Sequence, residues 1–102
     1  DEILADDEVK MNLQVVSLSF EGNYKWRFSD GNSIFNADVE DEGFLRLVQS
    51  GEVAFAKGDI IKARLHKLQY IKGENMKTEY RILEVLEHRH GAPQMKLPFV
   101  DN

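Results

Sequence analysis

Basic and aromatic side chains alternate along this chain, and that pattern has the clearest chemical meaning in the sequence. Lys25 and Arg27 flank Trp26, and residues 59–90 contain seven basic groups against five acidic ones. Cationic groups attract phosphates and aromatic rings offer faces for base stacking, which is the chemistry of single-strand binding. The candidate nucleic-acid-binding residues are Lys25, Trp26, Arg27, Lys62, Arg64, His66, Lys67, Tyr70, Lys72, Lys77 and Arg81.

Trp26 fits two roles. Tyr24, Trp26 and Phe28 share one face of an alternating stretch, which favours a core position for Trp26. A base-stacking platform is the alternative. The basic residues at 62, 64, 67 and 81 have a second interpretation as well, as the solvated face of a sheet edge.

Two histidines near the end of the chain raise the question of a metal site. His88 and His90 flank Arg89, so both lie on one side of a strand. Two imidazoles need a third ligand, such as Glu87 or His66. We therefore predict no metal site, no bound cofactor and a solvent-exposed strand end.

No catalytic constellation is visible in the sequence. There is no cysteine to act as a thiol nucleophile, and no serine or threonine has a recognisable base beside it. The carboxylates of Asp38, Glu40, Asp41 and Glu42 crowd the start of a helical stretch, where capping explains them. We expect a non-catalytic protein.

Length and composition indicate one packed domain. The chain has 102 residues, 42% of them hydrophobic, and lacks any apolar run of the roughly 18 residues that span a bilayer. We expect a cytoplasmic protein. The net charge of −5 is concentrated in residues 1–10, where five acids stand against Lys10. Such a run predicts an acidic flexible leader over residues 1–9.

The apolar periodicity predicts five strands and one helix. Period-two alternation predicts strands over 11–20, 24–28, 34–39, 60–70 and 78–87, and helical spacing covers 40–50. Ser29-Asp30-Gly31-Asn32 and Lys72-Gly73-Glu74-Asn75 predict hairpins, and a slip in phase at Val15-Val16 predicts a β-bulge.

This order of elements predicts an all-β domain with one helix, a five-stranded OB-fold-like barrel with the helix between strands 3 and 4. An SH3-like small barrel is the alternative, which the helix disfavours. The barrel is expected over residues 10–90, followed by a flexible tail over 91–102.

Short motifs add a family resemblance. Leu13-Gln14-Val15-Val16, followed by Tyr24 and then Ser29-Asp30-Gly31, resembles the single-strand-binding OB domains of the replication protein A class. The likeness covers residues 11–88. It implies that single-stranded DNA contacts residues 24–28, 34–38 and 67–77.

The tail carries a second resemblance. The stretch Gln94-Met95-Lys96-Leu97-Pro98-Phe99 resembles the peptide by which bacterial DNA-metabolism proteins dock on the sliding clamp. That resemblance implies partner contacts through Gln94, Met95, Leu97 and Phe99. The alternative is that Leu97 and Phe99 fold back onto the barrel.

Two hypotheses for function follow. The first is a domain that binds single-stranded nucleic acid within a larger DNA-handling protein, favoured by the resemblance. The second is a protein-interaction module that recruits a partner through the barrel groove or the tail, favoured by the net acidity.

Overall fold

The computed structural model describes residues 2–19 and 25–91. Its elements are β1 (Glu2–Ser17), β2 (Lys25–Ser29), β3 (Ile34–Val39), α1 (Glu42–Gln49), β4 (Ile60–Lys72) and β5 (Asn75–Arg89). None of the helices in the described residues has the length and apolar character needed to cross a membrane.

The five strands close into a barrel in the order β1-β2-β3-β5-β4. All neighbouring pairs are antiparallel except β3 and β5, which run parallel from Ala37 and Tyr80 to Val39 and Ile82. The predicted five-stranded OB-fold-like barrel with one helix between strands 3 and 4 is confirmed.

A β-bulge allows β1 to pair with two neighbouring strands. The register of β1 against β2 shifts between Val15 and Ser17, where the slip in the apolar phase predicted it. An extra residue bends a strand and increases its twist. The C-terminal end of β1 can therefore pair with β2 while the rest of the strand pairs with β4.

The barrel interior is filled by the alternating apolar residues of the strands. Trp26 and Phe28 of β2 and Ile61, Ala63 and Leu65 of β4 are all buried, as their alternation predicts. The helix α1 adds Phe44 and Leu45 to the same core. It begins two residues later than predicted because Asp41 is its N-cap.

Residues 2–9 are not a flexible leader, and the prediction for this segment is wrong. They form the first half of β1 and pair with β4 as far as Ile71. The physical reason is the length of the β4–β5 hairpin, which runs beyond the barrel and offers these residues a partner strand. We call this three-stranded extension, residues 2–9, 66–72 and 75–81, the arm; the molecule measures 55 Å along its long axis.

Candidate nucleic-acid interface

The first pair of predicted cations lies on the outer face of β2. Lys25 and Arg27 are exposed because they alternate with the buried Trp26 and Phe28. Lys25 Nζ lies 3.9 Å from Asp38 Oδ1 of the neighbouring strand. The Arg27 Nε–H donates to Asn36 Oδ1 at 3.5 Å. Arg27 therefore keeps its charge unpaired among the described residues, whereas Lys25 faces a carboxylate.

The second group of cations, which we call the outer charge row, consists of Lys62, Arg64 and His66 on β4. They alternate with buried residues, as predicted, and each meets a carboxylate across the sheet. Lys62 Nζ is 3.7 Å from Glu87 Oε2, Arg64 contacts Glu8 and lies 3.4 Å from Glu84 Oε1, and His66 contacts Asp6. The hydrogen bond that the Arg64 guanidinium donates to Glu8 raises the pKa of Arg64.

Arg81 of β5 extends this pattern. Its Nη1 lies 3.4 Å from Glu40 Oε2, and its Nη2 lies 2.9 Å from His66 Nδ1. Four of the predicted phosphate contacts, the outer charge row and Arg81, are therefore matched by acids of β1, β5 and the segment before α1. Such a surface has little excess positive potential to offer a polyanion.

Besides Arg27, three further predicted cations have no carboxylate within 4.0 Å in the part of the chain that the structure describes. They are Lys67, Lys72 and Lys77, all on the arm. The Nζ of Lys67 lies 5.9 Å from the centre of the Tyr80 ring, within cation–π range.

Trp26 is buried, with a relative exposure of 1%. Its indole Nε1–H donates to the Ser19 carbonyl at 2.6 Å, and its ring lies 5.4 Å from that of Phe55. No face remains for a base, so Trp26 leaves the candidate set. The core alternative is confirmed. Tyr24, another aromatic of that face, lies outside the described residues.

Tyr70 is half-buried on the arm. Its hydroxyl donates to Glu79 Oε2 at 2.7 Å. This hydrogen bond, reinforced by burial, raises the pKa of Tyr70. The ring is thereby held against the sheet by an acid of the neighbouring strand.

A stacked aromatic pair, Phe35 with Tyr80, is not among the candidate binding residues named from the sequence, although Phe35 lies in the stretch 34–38 that the family resemblance implies. The ring centres lie 4.0 Å apart at an interplanar angle of 26°. A surface groove of about 240 Å³ opens beside them, and we call it the β3–β5 groove. Its lining residues are Lys25, Phe35, Asn36, Asp38, Thr78, Glu79 and Tyr80. The two rings meet only because β3 pairs in parallel with β5. No local pattern in the sequence predicts that pairing, because the two strands are far apart in the chain.

The predicted docking peptide lies outside the described residues. Gln94, Met95, Leu97 and Phe99 all belong to the segment 92–102, as does most of the expected tail. The alternatives for that segment, a clamp-binding peptide or a fold-back onto the barrel, both stay predictions.

A second cluster forms where the start of β4 meets the end of β5. The buried Asp59 carboxylate places Oδ2 2.8 Å from His88 Nε2 and 3.5 Å from His90 Nδ1. The Gly91 N–H donates to Oδ1 at 3.1 Å and the Ala56 N–H to Oδ2 at 3.0 Å. Burial by itself would raise the pKa of Asp59. The hydrogen bonds from His88, Gly91 and Ala56 outweigh this effect, and the net result is a lowered pKa.

His88 differs from its predicted position. The side chain is only 14% exposed and its ring lies 5.0 Å from Phe55 and 6.0 Å from Phe44. Two register shifts in the β4–β5 ladder, which leave Leu83 and Leu86 without a partner on β4, turn His88 opposite the buried Ile61. The strand end is therefore not simply solvent-exposed. The third potential ligand is Asp59, rather than Glu87 or His66.

The outer side of β1 forms an open strand edge. Pairing of β1 with β2 covers only residues 14–17, so among the described strands residues 2–12 pair with β4 alone. Ile3 and Leu4 at one end of this edge are 59% and 47% exposed, and Met76 across the arm is 60% exposed. An unpaired edge presents free backbone donors and acceptors to another chain.

Comparisons with protein families, with curated proteins and with solved structures find no match to this chain.

Proposed function

We propose that this domain is a non-catalytic protein-interaction module that receives an extended basic peptide as an added strand on the open edge of β1. The observation that carries the proposal is that edge, residues 2–12, which has a partner strand on one side only among the described residues. Strand addition uses backbone hydrogen bonds for affinity and alternate side chains for specificity.

The charge of the edge indicates the chemistry of the partner. Glu2, Asp6, Asp7 and Glu8 stand along it against Lys10. Arg64 and His66 contact Glu8 and Asp6, whereas no cation of the described residues lies within 4.0 Å of Asp7 or Glu2. Basic side chains on an added strand would face these acids.

The same charges disfavour a second copy of the chain as the occupant. An antiparallel pair of β1 edges would bring the acidic stretch 6–8 of one chain against that of the other, and like charges directly opposite destabilise a sheet. The register shift between Ile3 and Ala5 also interrupts the regular edge near its N-terminal end.

The test uses labelled eight-residue peptides of alternating Lys and Val, or of alternating Glu and Val. Fluorescence anisotropy should show binding of the basic peptide and none of the acidic one. Methylation of alternate backbone nitrogens in the basic peptide keeps its charge but removes the N–H groups that would donate to the edge of β1. We expect this change to abolish binding. If the methylated peptide binds equally well, the attraction is charge alone and the strand-addition proposal fails.

Two matched variants locate the site. Asp7→Lys reverses a charge on the open edge, and we expect it to weaken binding of the basic peptide several-fold. Glu74→Lys makes the same charge change at the tip of the β4–β5 hairpin, beyond Ile71, the last residue of β4 that pairs with β1, and should have a much smaller effect. Equal effects of the two variants would contradict the proposed location.

Single-stranded nucleic-acid binding is the second candidate function, and the Phe35–Tyr80 pair favours it. A stacked aromatic pair beside a groove, with the unpaired Lys67 over one ring, is the local chemistry that base stacking and phosphate contact need. It would act in the β3–β5 groove rather than along the outer charge row.

The discriminating assay measures the anisotropy of a labelled oligothymidylate at two salt concentrations. Binding through the groove predicts steep weakening with salt and loss of signal in the double variant Lys67→Gln, Lys77→Gln. Lys62→Gln, which removes a cation already facing Glu87, should change little. No binding at low salt would end this candidate and leave the peptide hypothesis. A cytoplasmic location stays a prediction.

A further inference from the structure

We propose that Asp59, His88 and His90 form a divalent-metal site, with Zn²⁺ as the best-matched ion and one coordination position open to solvent. The three ligand atoms, a carboxylate oxygen and two imidazole nitrogens, lie within 4.8 Å of one another. A mixed nitrogen and oxygen set with three protein ligands is typical of open tetrahedral zinc sites.

The distances suit such a site. Bonds of about 2.0–2.1 Å to a tetrahedral zinc ion separate neighbouring ligand atoms by about 3.3 Å. Asp59 Oδ2 lies 2.8 Å from His88 Nε2 and 3.5 Å from His90 Nδ1. The two separations between Asp59 and the histidines lie on either side of the required value and within about half an ångström of it. An ion bound there displaces the proton that His88 and Asp59 share.

The carboxylate is held in place by its surroundings. Asp59 is 3% exposed, and backbone N–H groups of Ala56 and Gly91 donate to its two oxygens. Gly91 is required for this contact because a Cβ at that position would lie 2.4 Å from the Gly58 carbonyl oxygen. Hydrogen bonds of this kind orient a metal-binding carboxylate.

The two imidazoles play different parts. Phe44 and Phe55 pack edge-on against His88, which aims its Nε2 at Asp59. The His90 side chain is 67% exposed and can adjust to the ion. Because His90 lies at the surface, the fourth position faces water, which can fill it or be replaced by a donor from a bound partner.

The experiment titrates tag-free protein, freed of metal with a chelator, with ZnCl₂ in a calorimeter. We expect one equivalent bound with a dissociation constant in the micromolar range or below. Co²⁺ at the same site should give the intense visible absorption of tetrahedral coordination. His90→Ala removes an exposed ligand without disturbing the core, and we expect it to weaken Zn²⁺ binding at least about tenfold.

Glu87→Gln is the matched control. This neighbouring carboxylate points to the outer face of β5, toward Lys62, and the site does not use it. Its removal should leave Zn²⁺ affinity unchanged. If the wild-type protein binds no stoichiometric Zn²⁺, or if His90→Ala binds as tightly as the wild type, the cluster is a hydrogen-bonded clasp and the proposal is wrong.

Discussion

At the scale of single residues, Trp26 shows how one side chain decides between functions. Trp26 lies between Lys25 and Arg27 in the sequence. An aromatic residue flanked by cations is the arrangement that indicated a platform for base stacking. In the barrel the same alternation points the ring inward while both cations point outward. The cations of β2 therefore lack the aromatic partner that the sequence placed beside them.

The fluorescence of Trp26, the only tryptophan, tests this burial. We expect little quenching by acrylamide, because a ring that is 1% exposed is shielded from collisions. Addition of an oligonucleotide should leave the emission spectrum unchanged. Efficient quenching in the folded protein would contradict the core position.

Asp30 provides a second prediction at this scale. Hydrogen bonds from the Ser33 and Asn32 N–H groups lower its pKa below 3.8. A carboxylate with a depressed pKa in the folded state stabilises the fold at pH above 3.8, and this contribution is lost as the pH falls through the folded-state pKa.

The test compares Asp30→Asn, which keeps an oxygen acceptor but cannot ionise, with the wild type. Above pH 3.8 the wild type should be the more stable, and the difference in unfolding free energy should shrink as the pH falls below that value. Glu74→Gln makes the same charge change at an exposed hairpin tip and controls for net charge. A constant difference across this range would show that ionisation of Asp30 does not contribute.

At the scale of elements, Asp41 ties the helix to the barrel. Its Oδ1 accepts the Phe44 N–H at 3.0 Å, which caps α1, and its Oδ2 accepts the Val85 N–H of β5 at 2.9 Å. Val85 lies between the two unpaired residues Leu83 and Leu86, where the ladder is irregular. The helix start therefore satisfies a donor at an irregularity in the sheet.

Asp41→Ala should lower the free energy of unfolding by about 2–4 kcal/mol, because it removes a cap and leaves a backbone donor without its acceptor. Asp41→Ser keeps a capping oxygen and should recover roughly half of that loss. Urea denaturation measures both. Glu42→Ala, at an exposed residue of the first helical turn, is the control. If Asp41→Ser is as stable as the wild type, the hydrogen bond to the Val85 N–H does not contribute to the free energy of unfolding.

The bulges of β5 limited the prediction of the site from sequence. The hairpin Lys72-Gly73-Glu74-Asn75 determines the register of its own strands, and counting from it sets Asp59 opposite His88. The two register shifts instead set His88 opposite Ile61. Asp59, the residue before β4, is buried, and its carboxylate still contacts the His88 imidazole. The local pattern thus brings the two residues near each other, but the bulges determine which way each side chain points.

At the scale of the whole molecule, the arm and the barrel differ in what stabilises them. The barrel strands carry side chains with almost no exposure, such as Leu65 and Ile82. The structure describes every residue from 66 to 81, and none of them is buried. The radius of gyration of 16.0 Å exceeds the roughly 13 Å expected of a compact domain of this length, as an extension beyond the barrel requires.

Hydrogen exchange followed by NMR tests this division. Amides of 68–79 should exchange through local opening, at a free energy lower than that of Ile61, Ala63 and Leu65 by at least about 2 kcal/mol. The physical reason is that opening the arm exposes no buried side chain. Equal protection along the whole of β4 would show that arm and barrel unfold together.

The sequence by itself determined the type and order of the elements. The alternation of apolar residues predicts β2 and β3 and tells which of their side chains point inward. Asp30-Gly31 predicts the turn between them, because the turn needs the positive φ of +97° that Gly31 adopts. The slip in the apolar phase predicts the bulge at Val15. These are local properties, each set by residues within a few positions of one another.

Only the tertiary structure decided which groups meet. Whether residues 2–9 form a leader or a strand depends on β4 extending beside them, about sixty residues away in the chain. The pairing of the outer charge row with acids, the stacking of Phe35 on Tyr80 and the meeting of Asp59 with two histidines all arise across strands. Contacts between residues so distant in sequence depend on how the barrel closes and on the register of its strands, which alternation alone does not specify.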